Sequence, residues 1–453
     1  MKTNIITLTF QINFLFILFI SPFSEVFSQN WLPAGSGTNN GANGGIALQE
    51  FNGKLIAGGA FSQAGSVNAY GVAMWDGLDW SIVDSSMNSN FAVRPFVVFQ
   101  GYLYGFVTNP TGIMSGYMIK LDSNFTCQIV PNSNYYNSNL PGTVYRAAVY
   151  NNELYVGGRF DHIGNIPANH IAKWDGTNWL PVGSGINDQY IFEFKEYNNE
   201  LYVGGSFTDA GGVSVNNLAK WNGSNWSDVG GGLTGPGAWD FSDMEVYNNE
   251  LYIGGGFLSA GGQFMEYLTK WNGNIFSDVG GGLGFSGPPD VMKVYGNKLY
   301  FGGYFNTGIW GNETGTWDGL NFASLGTGLN AGPTNFEIYN CQLYAGGRFD
   351  ATGYAQGVAF LDTTDCTTSI ESIYLPEYSI SIYPNPGNGN FTFEFNDVCS
   401  GIFVVTNLLG EIIKTGTFAN TRMLQCEING SAGVYFVNVN TGKSVLNSKL
   451  VKN

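Results

Sequence analysis

Positive charge and histidine are what this chain has least of. Its 453 residues include 18 Lys and Arg together and two His, against 34 Asp and Glu, for a formal net charge of −16. No basic footprint exists, so nucleic acid and anionic lipid surfaces are excluded as partners. Two histidines, His162 and His170, fall in one repeat, in a loop and at the start of the following strand, which excludes a Ser-His-Asp triad and argues against a two-histidine copper site. No metal or cofactor is expected. Long apolar runs are also missing. Phe14 to Ile20 is too short to span a bilayer, and Gln11 and Asn13 interrupt it upstream. With Lys2 before it and Val26-Phe-Ser28 after it, this run reads as a signal peptide over residues 1–28, leaving no membrane span in the mature chain.

What is abundant is glycine and aromatics: 65 Gly, 34 Phe, 25 Tyr and 11 Trp, with 11% charged residues. Glycine supplies positive φ in tight turns and aromatics suit pleated surfaces, so the composition predicts many short strands. One motif organises them. Its clear copies run Leu154-Tyr-Val-Gly-Gly-Arg-Phe160, then from Leu201, Leu251, Leu299 and Leu343, with a looser copy at Leu55 and a degenerate one at Leu103. The spacings of 48, 51, 47, 50, 48 and 44 residues belong to propellers and solenoids. Each copy follows an alternating segment and a turn such as Asn198-Asn199, suited to a two-residue hairpin. Each precedes a third strand ending in an aromatic and an Asp-Gly or Asn-Gly turn, as in Trp174-Asp-Gly-Thr-Asn-Trp179. Four strands per repeat make a propeller blade. The seventh repeat lacks its fourth strand, and Trp31-Leu-Pro-Ala-Gly-Ser-Gly37 matches Trp179-Leu-Pro-Val-Gly-Ser-Gly185. The fold expected is therefore all-β: a seven-bladed β-propeller over 29–366, closed by the N-terminal strand pairing near Phe360. A solenoid has no need of that closure.

The Gly-Gly after an aliphatic strand, followed by two spaced aromatics, resembles kelch-type and galactose-oxidase-like propeller repeats. The turn between the aromatics is shorter here and the glycine load heavier. The resemblance implies a fold, which does not imply an activity.

A linker over 367–378 leads to a segment, 379–453, of short alternating strands, expected to form a small β-sandwich. It is similar to the type A C-terminal sorting domain of the type IX secretion system of Bacteroidetes. The match rests on Pro384, Asn385 and Pro386 after Tyr383, Gly410 three residues after Asn407, Gly433 and Tyr435, and the terminal Lys449, Leu450 and Val451. That resemblance implies the type IX machinery as partner and a secreted or outer cell-surface location.

Five cysteines in an exported chain raise the question of pairing. Cys341 and Cys366 flank the last blade's second and third strands on one face, which would leave Cys399 with Cys426 and Cys127 as a buried thiol; five unpaired thiols remain an open alternative. For ligand binding, the loops ringing the channel carry Phe91, Arg94, Asp188, Tyr190, Trp239, Asp240, Phe285 and Asn335. Aromatics beside carboxylates and amides suit a sugar. No catalytic residue is assigned. A glycan- or protein-binding module is the first expectation. A polysaccharide-active glycoside hydrolase or lyase using paired carboxylates among Asp188, Asp240, Asp290 and Glu337 is the second.

Overall fold

The structure, a computed structural model, describes residues 31–40, 45–85, 92–108, 115–138, 141–187, 190–235, 241–280, 287–303, 314–325, 329–351, 355–362, 380–407, 412–440 and 445–452. The expected signal peptide and linker lie outside the described residues. Every regular element among the described residues is a strand, and none is a helix able to cross a membrane.

Each repeat forms one antiparallel four-stranded meander. In the fourth, Tyr190–Tyr197, Glu200–Ser206, Leu218–Trp221 and Trp226–Asp228 pair in that order. Six such meanders follow in sequence. The seventh, Pro333–Tyr339, Gln342–Ala351 and Ala355–Leu361, takes Trp31–Pro33 as its outer strand, with Trp31 opposite Leu361, Leu32 opposite Phe360 and Pro33 opposite Ala359. The first strand of each sheet touches the first strand of the next, and that of the seventh touches that of the first. The arrangement is propeller-like.

The turns explain why these segments form hairpins. Asn198 and Asn199 have φ of 51° and 60°, Asn151 and Asn152 have 49° and 58°, and Asn248 and Asn249 have 50° and 60°. Asparagine tolerates this left-handed pair, and the resulting turn matches the twist of the strands it joins. Asp175 and Asp318 close the later turns by accepting backbone N–H bonds from the residues two and three positions on.

Repeated side-chain staples hold neighbouring sheets together. The tyrosine ending each first strand donates to a turn carbonyl of the next sheet: Tyr150 to Asn199 at 2.8 Å, Tyr197 to Asn249 at 2.9 Å, Tyr247 to Asn297 at 2.8 Å, Tyr295 to Cys341 at 2.6 Å and Tyr339 to Gly53 at 3.1 Å. The last of these links the seventh sheet to the first. Phe51 and Phe99 hold this place in the first and second sheets. The third-strand tryptophan adds a second staple, as Trp271 to Tyr202, Trp317 to Tyr252 and Trp75 to Tyr344, at 3.2 to 3.3 Å.

The Gly-Gly of the repeat has a steric cause. A Cβ on Gly157 would lie 2.7 Å from Ile191 and Phe194 of the next sheet, so this glycine sets how closely two sheets approach. A Cβ on Gly158 would meet the Thr143 carbonyl at 2.2 Å, because the first strand bulges over it. The register steps from Val144–Gly158 to Arg146–Gly157, leaving Tyr145 unpaired. The same step makes the register skip Phe192, Asp290 and Thr334 in the fourth, sixth and seventh sheets. In the second sheet Arg94 and Pro95 together face Phe106. A bulge re-aims its extra side chain, so the motif places a ring of these residues at one level of the innermost strands.

The C-terminal region departs from a two-sheet sandwich. One five-stranded sheet contains the long strands Asn390–Asn407 and Ile412–Glu427. The first half of Asn390–Asn407 pairs with Ile380–Tyr383 and its second half with Gly433–Asn440, with register breaks between Glu394 and Gly401. The register breaks interrupt this long hairpin, whose strands contribute to a core of Phe391, Phe393, Phe395, Phe403, Val405, Tyr435, Val437 and Leu450.

The same register corrects the cysteine expectation. Cys399 lies opposite Thr421 and Cys426 opposite Phe391. Five positions of Ile412–Glu427 separate the two, about 16 Å of strand, whereas a disulfide holds Cα atoms within about 7 Å. Cys399 and Cys426 are therefore not bridged. Cys366 lies outside the described residues, and Cys341 is exposed in its turn. Cys127 is half-buried rather than buried; burial first, and then the nearby Asp84 carboxylate, push its thiol up to about 11.

Candidate functional site: the mouth of the central channel

Charged side chains of the first strands line the axis and pair across the seams between sheets. Arg146 Nε donates to Glu193 at 2.8 Å, Lys195 meets Glu245 at 2.7 Å, and Lys293 meets Glu337 at 3.1 Å. Arg146 keeps 37% of its side chain accessible although protein surrounds it, as expected of a group lining a wet channel. Burial works to lower its pKa, and the Glu193 carboxylate more than offsets this.

Among the described acids of this belt, Asp243 is the buried one. Its Oδ1 accepts the Met244 N–H at 2.7 Å and its Oδ2 accepts the Met292 N–H at 2.5 Å across the seam. Burial, and then the charge of Glu193, push its pKa well above the usual carboxylate range, against the pull of the Met292 N–H and Arg146. With both oxygens committed to backbone donors, Asp243 joins two sheets.

The expected ligand residues fare differently. Asp188, Trp239, Asp240, Phe91 and Phe285 lie outside the described residues. Asn335 is not an exposed loop group: its Oδ1 accepts the Leu48 N–H at 2.9 Å, bridging the seventh and first sheets. Glu337 sits on the inner strand, paired with Lys293 and near Gln49 Nε2 at 3.4 Å. Asp290 occupies a bulge. Several of the second-to-third-strand loops are tied into small hairpins, as Asp209–Ala210 with Val213–Ser214, anchored by Gly211 N–H on the Gly185 carbonyl at 2.8 Å. His162 contacts Asp161 at 2.8 Å and stacks on Tyr136, and among the described residues no metal-ligating cluster forms.

Two expected residues do come together. Tyr190 stacks between Tyr145, at 6.0 Å and 21°, and Phe192, at 5.8 Å and 16°. Arg94 is exposed and lies within electrostatic reach of Tyr145, Arg146 and Arg348. Partial enclosure, and then the positive charges of Arg146 and Arg348, hold its guanidinium below the usual range. Arg159, whose Nε donates to the Pro141 carbonyl at 3.0 Å, also acts on Tyr145. Residue-by-residue reading missed Tyr145, Arg146, Phe192 and Arg348; for Tyr145 and Phe192 the signal available was the position skipped by the register opposite the Gly-Gly, compared across repeats.

At the other end of the chain, the sorting-signal residues meet as a clasp. The Asn385 side chain accepts the Val451 N–H at 2.8 Å, and Gly387 N–H donates to the Val451 carbonyl at 2.9 Å. Tyr435 lies opposite Leu450, both buried, with its hydroxyl on the Ser431 carbonyl at 2.6 Å. Gly433 pairs with Lys452 and Lys449 with Phe436, while Pro384 and Pro386 flank Asn385 on the exposed side. Gly410 lies outside the described residues.

Comparison with known proteins bears on this region first. The family described as secretion system C-terminal sorting domain matches residues 381–453. The chain is thus cargo of the type IX secretion system, engages that machinery, and ends at the cell surface or in the extracellular space. No curated protein matches the chain. Among solved structures, the β-propeller domain of the Trilobed protease from Pyrococcus furiosus, described as having an open velcro topology, aligns at 8% identity and TM-score 0.43, over 70% of this chain and 93% of that one. A GH43 protein from Bacillus licheniformis aligns at 11% identity and TM-score 0.26, over 94% and 83%. A GH43_12 protein from a capybara gut metagenome aligns at 11% and 0.25, over 94% and 91%. Similarity at these levels bears on neither activity nor ligand.

Proposed function

We propose that residues 29–366 form a seven-bladed, kelch-like β-propeller closed by the strand at Trp31, and that it acts outside the cell as a non-enzymatic binding module for a glycan or protein partner. In this reading residues 1–28 direct export across the inner membrane of a Bacteroidetes cell, and residues 379–453, with the clasp around Asn385 and Val451, direct passage across the outer one. The observation that carries the binding role is the state of the channel carboxylates among the described residues. Glu193, Glu245 and Glu337 each face a cation of a neighbouring strand, and Asp243 is bound by two backbone N–H groups. Hydrolysis of a glycosidic bond needs one carboxyl group free to give a proton and another free to attack or activate water. These four are occupied in holding sheets together. The mouth, by contrast, offers open arginine and aromatic side chains, the groups that bind without reacting.

Secreted protein tested against a polysaccharide panel should show retention in affinity electrophoresis and no release of reducing ends or unsaturated products. Catalytic release abolished by Asp240→Asn or Glu193→Gln would replace this reading with the hydrolase or lyase.

A further inference from the structure

The chain contains five arginines, and four of them, Arg94, Arg146, Arg159 and Arg348, precede the C-terminal region. Although they come from the second, third and seventh sheets, Arg94 lies within electrostatic range of Arg146, Arg348 and Tyr145, and Arg159 within range of Tyr145. Arginine is placed here against the −16 charge of the whole molecule. Lysines are paired instead: Lys173, Lys220 and Lys270 each with a glutamate of its own sheet at 2.7 to 2.8 Å, and Lys195 and Lys293 with one of the neighbouring sheet. Arg146 is neutralised by Glu193. Among the described residues, Arg94 and Arg348 have no carboxylate within ion-pair distance, and both are exposed.

Among the described residues Arg94 and Arg348 thus add like charge with no paired carboxylate, an arrangement that is costly unless something anionic completes the site. Beside them, Tyr145, Tyr190 and Phe192 form a half-exposed stack, with Tyr145 and Phe192 re-aimed by their bulges. A flat aromatic surface takes the apolar face of a pyranose ring, and a planar guanidinium takes a carboxylate in two parallel hydrogen bonds. An acidic peptide would use the arginines and leave the stack idle.

We infer that the channel mouth binds an acidic polysaccharide, with the carboxylate of a uronic acid residue held by Arg94 and Arg348 and its ring seated on the Tyr145–Tyr190–Phe192 stack. The inference rests on the binding-module reading and specifies the ligand class.

The test uses the secreted chain, with polygalacturonate, its carboxyl-reduced neutral form and poly-glutamate as probes in titration calorimetry at two salt concentrations. Polygalacturonate is expected to bind, more weakly at higher salt, and the neutral polymer at least about tenfold more weakly, as loss of a charge-assisted pair implies. Arg94→Gln and Arg348→Gln should each weaken polygalacturonate binding by about tenfold with the melting temperature of the free protein unchanged or raised, since each removes an unpaired charge and neither side chain holds the fold. Tyr190→Ala should weaken both polymers. Equal affinity for the neutral polymer would overturn the uronate inference while leaving the binding module standing. Equal affinity for poly-glutamate would reassign the site to acidic peptides, and polygalacturonate binding unaffected by both arginine substitutions would move the ligand elsewhere.

Discussion

Gly205 offers the sharpest test of the link between the repeat motif and the channel mouth. A Cβ there would lie 2.0 Å from the Tyr190 carbonyl oxygen and 3.0 Å from Ile191 Cα, both backbone atoms of the bulge that presents Phe192. Contacts under 3.0 Å are not made by real Cβ atoms, so the backbone must retreat by about 1 Å or the bulge must open. Overpacking of this kind costs about 1–3 kcal/mol, and the stiffer unfolded chain returns about 0.4–1 kcal/mol. Gly205→Ala should therefore lower stability by a net of about 1–2 kcal/mol in urea unfolding, with the m-value unchanged. It should also disturb the Tyr145–Tyr190 stack, read as a change in near-ultraviolet circular dichroism. Wild-type stability together with an unaltered aromatic spectrum would mean that the second glycine of the motif does not underlie the bulge. Glycan affinity alone cannot substitute for these readouts, because the bulge is a backbone property.

Other outcomes follow from the same geometry. Trp31 is fully buried and stacks on Phe336 at 5.9 Å, so Trp31→Ala should destabilise the repeat region by about 3–5 kcal/mol, measured by urea unfolding; a loss below 1 kcal/mol would deny the N-terminal strand its role. Tyr247→Phe removes one seam hydrogen bond and should cost about 0.5–1.5 kcal/mol, while Phe51→Tyr restores nothing unless a carbonyl stands opposite; paired melting curves decide. For Asp243, whose folded pKa is raised, the contribution to stability is fully present below the ordinary carboxyl range and is lost as pH rises through its folded value. Asp243→Asn should flatten that part of the stability–pH profile, and an identical profile would reject the assignment. With its pKa near 11, Cys127 is about one part in a thousand thiolate at pH 8, so native alkylation should leave it unmodified, and non-reducing peptide mapping should return no link between Cys399 and Cys426.

Much of the architecture was legible in the order of residues, because the features concerned are local and repeated. The pair Asn198-Asn199 announces its hairpin through a conformation few other residues accept, and five copies of Leu-Tyr-x-Gly-Gly with two looser ones, at near-constant spacing, announce a repeated four-stranded sheet. The likeness of Trp31-Leu-Pro to Trp179-Leu-Pro was enough to expect the N-terminal segment beside Phe360, since a strand missing from one end and spare at the other has one place to go. The sorting region was legible for a different reason: its short motifs lie at fixed distances along 381–453.

Tertiary structure alone decided what depends on neighbours from different repeats. Asn335 looked like a loop residue until the seventh sheet met the first and its amide found the Leu48 N–H. Cys399 and Cys426 looked like partners until a long hairpin set them five positions out of register. Arg94, Arg146, Arg159 and Arg348 are scattered over 255 positions and carry no mutual signal in the chain. Side chains that distant along the backbone meet only where innermost strands crowd one axis, and a bulge, which turns a single residue out of the pleat, selects which of them face the opening.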